Sequence, residues 1–398
     1  MPTGRDATKL GTATPAPAAR WFGAKELQSQ LDALTHSVAR PSNQVELLVN
    51  GKESYTRRFQ NIAEADLVLM KTYNFRDDET GHKMVEALGQ RLDAGGKVFL
   101  QFDIKGYYKN PVDVAGTRLG WKDAIPPMLK VLVDKGATVI PTNLPTSLAE
   151  TVFIKDHEKY LITWKMGESP KVVMGGMNIG DEWAFGGDPT KAVPSLEGHA
   201  GFRDTDVQLT GPITRDAIQE YVADVAQHSS AESDASQALQ HALGEMKEAG
   251  RAPREVGSSS ARFVSNSPCE GESGQNIEKL YCALMAAVPA GETVTLSTAF
   301  FLPTDKIVEG IEKAARRGVK FRLLLNSEQS PEAGFRLVAK GAQSLYRTLF
   351  EECPKGSLEI YEWGGNKEAS GLHHKLASFG KDGPVMIGSS NLDYHSLR

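Results

Sequence analysis

The sequence predicts an α/β protein: two similar α/β/α domains from an internal duplication, each a mixed sheet flanked by helices, with an active site at the domain interface. Three observations carry this. The tripeptide His157-Glu158-Lys159 returns as His373-His374-Lys375, and a Gly-rich turn ending in Asn follows each copy, Gly175-Gly176-Met177-Asn178 and Gly388-Ser389-Ser390-Asn391. Apolar patterning alternates strand and helix in the same order in both halves, over a unit of about 150 residues. A polar stretch, 227–260, with Ser-rich ends, separates them.

Taken in order, residues 1–20 are rich in Ala, Thr, Pro and Gly and predict disorder. Leu27, Leu31 and Leu34 at helical spacing predict a short amphipathic helix over 24–38, packed on the body or touching a membrane. The first half then predicts strands at 45–49, 67–73, 97–102 and 138–140, and helices at 55–65, 81–92 and 125–135. The second predicts strands at 261–264, 293–298, 319–325 and 358–361, with helices at 275–287, 304–317 and 335–350. The expected organisation is an N-terminal extension (1–43), a first domain (44–226), a connection (227–260) with a helical stretch at 238–247, and a second domain (261–398) whose C-terminus reads as truncated.

The two motifs point to phosphorus chemistry. His and Lys stand two apart within apolar, strand-like stretches, so both side chains leave the same face and can hold an anion. A neutral imidazole can attack phosphorus and become a phosphohistidine, while a second imidazolium protonates the departing oxygen. Lys159, Lys375 and the amides of Asn178 and Asn391 would hold the non-bridging oxygens. That scheme needs no metal or other cofactor, and no His/Cys/Asp/Glu spacing in the sequence argues for a metal site. Each half supplies one imidazole, one Lys and one Asn, so neither would act alone.

These residues resemble the phospholipase D superfamily, in particular its bacterial cardiolipin synthase-like branch, and the likeness runs from about Gln44 to the last residue. Gln44–Gly51 is similar to the family's opening strand, Tyr73–Gly81 to its second strand and following loop, Gly175–Trp183 to its first Gly-Gly-x-Asn segment, and Phe202–Pro212 to its Arg-Asp segment. The resemblance implies a phosphodiesterase or phosphatidyltransferase acting on phospholipids, with His157 as nucleophile and His373 as general acid. The residues alone do not separate those roles. It also implies that Asp204, with Asp206 as runner-up, orients the imidazole of the other half. Gly176 and Ser389 in the turns, and Asp181, Glu182 and Trp183 after the first Asn, are candidates for the substrate wall. The chain departs from the pattern where Trp164 and Gly380 stand in place of the motif Asp, and where the sequence ends before a carboxylate partner for His157. Longer turns at 165–170 and 381–384 absorb the wider His-to-Asn spacing.

Composition narrows the classes. The chain's 398 residues, 40% hydrophobic and 24% charged, suffice for two cored domains. Its 45 basic and 50 acidic residues give a net charge of −5 without a basic block, which disfavours a generic nucleic-acid binder. Cys269, Cys282 and Cys353, an odd number without metal spacing, read as free thiols. His374, His199, His228 and His395 are read as outside the chemistry. No apolar run is long enough to cross a bilayer, and no signal peptide is evident, so the expectation is a cytoplasmic protein that meets a phospholipid membrane peripherally. A nuclease on the same scaffold and a non-catalytic binding protein stay open as alternatives, and the oligomeric state is not legible.

Overall fold

A computed structural model of the chain describes residues 21–145, 157–249, 254–266 and 268–397; the tail expected to be disordered, 1–20, lies outside them. Eight strands build the first sheet: β1 (Arg40–Val49), β2 (Leu67–Thr72), β3 (Lys97–Asp103), β4 (Thr138–Thr142), β5 (Tyr160–Trp164) and β6 (Lys171–Gly175), then, past the separate β7 (Phe202–Arg203), β8 (Thr205–Thr210) and β9 (Ser259–Ala261). Their order is β4-β3-β2-β5-β6-β8-β1-β9. β2, β3 and β4 are parallel, and β5, β6, β8 and β1 continue antiparallel.

Side-chain alternation gives this sheet two cores. Leu67 and Leu69 of β2 join helices Thr214–Ser229 and Asp234–Ala249 on one face. Val68 and Met70 join helices Asn50–Glu64, Glu79–Asp93 and Pro127–Asp134 on the other. Each such buried side chain stabilises by roughly 1.5–3 kcal/mol relative to exposure, so the strands that carry the first motif are firmly set.

The second half contains β10 (Thr293–Ser297), β11 (Phe301–Leu302), β12 (Lys320–Asn326), β13 (Leu358–Trp363), β14 (Gly371–Leu372), β15 (Leu376–Phe379), β16 (Val385–Ile387) and β17 (Leu392–Asp393). Its sheet, β13-β12-β10-β15-β16, repeats β4-β3-β2-β5-β6 strand for strand, with the same parallel triplet and antiparallel pair. Helices Asn276–Ala287, Asp305–Arg316 and Ala333–Glu352 pack against it in one core. On the opposite, exposed face Arg322 pairs with Glu359 at 3.0 Å.

Four local expectations change. The strand expected at 261–264 to open the second half is instead β9, which pairs with β1 at the edge of the first sheet. The polar connection is not loose throughout: helix Asp234–Ala249 buries Leu239, Ala242, Leu243 and Met246 in the first half's core. The N-terminal helix, Lys25–Thr35, packs on the second half, burying Leu27 and Leu31 beside Leu280 and Leu284, while Asp32 accepts from Arg262 at 2.6 Å. Finally, residues 157–159 and 373–375 lie just before β5 and β15 rather than within them. The expected turns at 165–170 and 381–384 are in place, joining β5 to β6 and β15 to β16.

The halves are stitched together beside the motifs. β14 pairs in parallel with β7, the His373 amide donates to the Arg203 carbonyl at 2.8 Å, and the Ser370 amide donates to Gly201 at 3.0 Å.

Candidate active site

Each motif imidazole is held by the opposite half. His157, half-buried, has Nδ1 2.9 Å from the backbone carbonyl oxygen of Ser389. A carbonyl only accepts, so Nδ1 carries the proton and Nε2 keeps its lone pair. The Tyr73 ring lies 4.9 Å from the imidazole, centre to centre, and the buried Lys159 ammonium sits 5.4 Å from the same ring.

His373 is buried, with Nδ1 2.6 Å from Asp204 Oδ2. Trp183 Nε1 and Lys375 Nζ each lie 3.1 Å from the same nitrogen. Asp204 is the sole acceptor among these three and the shortest contact, so the Nδ1 proton is placed on the side of the carboxylate. Phe202 stacks on the ring, 5.6 Å between centres at an interplanar angle of 15°. His373 therefore also presents Nε2 as its remaining nitrogen. Asp204 and Trp183 come from the first half and His373 from the second.

The two Asn residues occupy equivalent places. Asn178 Oδ1 accepts from the Asn74 amide at 3.0 Å, and Tyr55 OH donates to the Asn178 carbonyl. Asn391 Oδ1 accepts from Thr298 Oγ1 at 3.4 Å. Each Asn is followed by a parallel link, Ile179 to Phe75 and Leu392 to Phe301. Asn178 is fully buried, and its Nδ2 has no hydrogen-bond partner among the described residues. An unmet buried donor costs about 1–3 kcal/mol, which an anionic oxygen would recover.

The local field is set by burial and cations. Burial first, then the Lys159 and Lys375 ammoniums and His373, hold His157 well below the usual imidazole range. Burial, Lys375 and Lys159 push His373 the same way. Burial also brings Lys375 down to about 8, against the upward pull of Asp204. Burial raises the Asp204 carboxyl, with Lys375 opposing. The first-half lysine thus acts on the second-half histidine, and the second-half lysine on the first. Both imidazoles are thus held toward the neutral form by burial and by the two ammoniums.

The other candidates take distinct positions. Gly176 lies against Asp204: a Cβ there would meet Asp204 Oδ1 at 2.1 Å. Ser389 contributes its carbonyl rather than its hydroxyl. Asp181 is turned to Thr80, accepting from its amide at 2.9 Å and its hydroxyl at 2.6 Å. Glu182 pairs with Arg76 at 3.3 Å and accepts from Ser195 at 2.9 Å. Asp206 forms a buried pair with Arg58 at 2.9 Å. His374 is buried, 2.6 Å from Ser297 Oγ, while His199 and His395 are exposed and His228 half-buried. Cys282 and Cys353 are free thiols; the side chain of Cys269 lies outside the described residues. Among the described residues Glu158, Glu220 and Asp224 cluster, but the Lys71 ammonium pairs with Glu158 at 2.9 Å and with Asp224, supplying the positive charge there. Sequence reasoning missed Tyr73 and Arg76, although both lie in the 73–81 segment that carries part of the family likeness. Arg76 stands 5.6 Å from the Trp183 ring.

The chain is similar to known proteins along most of its length. Residues 284–398 match the family model described as cardiolipin synthase, phospholipase D-like domain. The second half is thus similar to the phospholipase D-like domain of cardiolipin synthases. A cardiolipin synthase B of Salmonella typhi is 26% identical over 365 residues, covering 90% of this chain and 75% of its own length. A cardiolipin synthase of Halalkalibacterium halodurans is 23% identical over 379 residues, covering 93% of this chain and 64% of its own length. The crystal structure of a phosphatidylserine synthase from Haemophilus influenzae superposes with a TM-score of 0.62 over 94% of this chain and 84% of that one, at 12% identity, a likeness of fold.

Proposed function

We propose that this phospholipase D-like enzyme transfers a phosphatidyl group from a phospholipid, through a phosphohistidine on His157, to water or to a glycerol-type alcohol. The supporting observation is the crossed anchoring of the two imidazoles: Nδ1 of His157 on the Ser389 carbonyl and Nδ1 of His373 on Asp204, each leaving Nε2 as the remaining nitrogen. In this reading the neutral His157 Nε2 forms a bond to phosphorus as the bond to the leaving alkoxide breaks. His373 Nε2, as imidazolium, passes its proton to that oxygen. Asp204 stabilises the imidazolium, and the incoming phosphate charge offsets the two ammoniums that, after burial, hold the ring toward its neutral form. Lys159, Lys375 and the Asn178 and Asn391 amides take the non-bridging oxygens. In the second step an alcohol or water attacks phosphorus, His373 takes its proton, and His157 leaves.

The lipid substrate rests on the cardiolipin synthase relatives, and the composite site is taken to lie between domains at 44–226 and 261–398. The acidic balance disfavours the nuclease alternative. The test is product analysis after incubation with phosphatidylglycerol. Cardiolipin and glycerol, or phosphatidic acid and glycerol in the hydrolytic mode, are expected, with a new phosphatidyl-alcohol when a primary alcohol is added. Release of nucleotides from DNA with no change in lipid would contradict the reading.

A further inference from the structure

Between β3 and helix Pro127–Asp134 the first half carries residues 104–126, whereas between β12 and helix Ala333–Glu352 the second carries only 327–332. The duplication thus sets this segment apart as an addition to the common unit. It holds helix Pro111–Leu119, started by Asn110, whose side chain accepts from the Val112 amide, and ended at Gly120 with φ 80°. Pro at the first position and Gly past the end are what such a short helix needs. Val112, Ala115, Gly116 and Leu119 follow the i, i+3, i+4, i+7 spacing of one helix face. The chain then folds back, and the Trp121 ring lies over Gly116, where a Cβ would meet it at 2.6 Å.

The result is an apolar ridge directed outward. Val112, Leu119 and Trp121 are 62%, 63% and 55% exposed. The buried positions of the same helix are Val114 and Gly116, the latter beneath the Trp121 ring. Beside the ridge Lys109 and Arg118 are exposed, Lys122 lies 5.3 Å from the Tyr108 ring and pairs with Asp113 at 3.4 Å, and Asp123 is the other acid, so the segment is net basic. Exposed apolar side chains with a Trp, on a segment with a small excess of basic residues, match the chemistry of an anionic lipid surface. The segment is also fixed to the candidate active site. The Gly106 carbonyl accepts from Arg76 at 3.3 Å, and Lys109 lies 3.9 Å from Glu182, next to the Trp183 that touches His373.

We infer that the Val112–Leu119–Trp121 ridge is a membrane-docking surface that seats the mouth of the active site on an anionic bilayer. The inference rests on the lipid substrate proposed above, because docking beside the site matters only if the substrate lies in a bilayer. It is tested by sedimentation of the full chain with vesicles of phosphatidylglycerol and phosphatidylcholine in equal parts, beside the triple variant Val112→Ser, Leu119→Ser, Trp121→Ser. The expected result is at least about a ten-fold loss of vesicle affinity, since three interfacial apolar groups are removed. Activity on vesicles should fall in parallel, and activity on short-chain phosphatidylglycerol below its micellar concentration should be unchanged. If the triple variant fails to fold, the exposed Leu119→Ser alone carries the test with a smaller expected loss. Equal vesicle binding by variant and parent, or none by the parent, overturns the inference. So does a parent dimer that the variant dissociates without any vesicle binding, which would make the ridge a contact between copies. Inactivity on every lipid would count against the proposed function, while the sedimentation arms would still decide the docking surface.

Discussion

At the residue scale, the most informative atom is Nδ1 of each imidazole, because its partner fixes which nitrogen can react. The family resemblance implied Asp204 for one ring, and in the structure His157 Nδ1 meets a backbone carbonyl. A carbonyl has no side-chain signature, so no reading of residue types could have found Ser389 in this role. A carbonyl orients an imidazole while favouring the charged form less than a carboxylate does, which suits the free base that the proposed mechanism asks of His157. Gly176 has a related reason for being glycine: Gly176→Ala would displace the Asp204 carboxylate. We expect this variant and Asp204→Asn each to lower kcat by on the order of 10²–10⁴-fold, measured by steady-state kinetics on the same lipid. An Ala variant with parental kcat would show that Asp204 does not support His373. Lys375 gives a pH signature. Its ammonium, brought down to about 8, must be charged to hold phosphate, so kcat/KM should fall as pH rises through about 8. Bound anion restores the ammonium, so the limb in kcat should lie higher. Lys375→Arg should remove that limb from whatever activity it keeps, and an unmoved limb in the pH profile would assign it elsewhere.

At the element scale, the turn that carries Asn178 depends on a buried ion pair behind it. Arg58, on helix Asn50–Glu64, donates to Asp206 on β8 at 2.9 Å, and Asp206 Oδ1 accepts from the Met177 amide at 3.3 Å. Arg58→Met would strand a buried carboxylate, at an expected cost of about 3–5 kcal/mol in chemical denaturation. Adding Asp206→Asn should recover part of that loss; no recovery would mean that the guanidinium acts by packing alone. Most elements were legible from periodicity, since long strands such as β2 and β12 and helices such as Glu79–Asp93 are strongly patterned. The short pieces were not. β7, β9, β11, β14 and β17 span two or three residues each, below the length at which alternation is visible, yet β7 with β14 makes the seam beside His373.

At the scale of the whole molecule, the duplication was legible because two motifs recur with matched followers, and the sheets repeat it in strand order. What patterning could not show is the exchange between the halves: the N-terminal helix buries Leu27 and Leu31 in the second core, and β9 joins the first sheet. Amphipathic faces announce that they are buried, not against what. The crossed arrangement also brings both ammoniums within electrostatic reach of both imidazoles, so in the proposed scheme charge neutralisation of the phosphate comes from the chain itself. Turnover on a monomeric, short-chain phospholipid should therefore persist in excess EDTA, and complete loss with recovery on adding a divalent ion would contradict that scheme.

The central claim, a phosphohistidine on His157 released with help from His373, is tested most directly by alkaline, denaturing quenching of enzyme mixed with ³²P-labelled phospholipid. Label on the protein that is acid-labile and base-stable is expected in the parent and absent in His157→Ala. It should accumulate in His373→Ala when the leaving group needs no proton, such as p-nitrophenol. Label in His157→Ala with none in His373→Ala would reverse the two roles. A parent that turns over substrate without ever carrying label would contradict the covalent mechanism altogether.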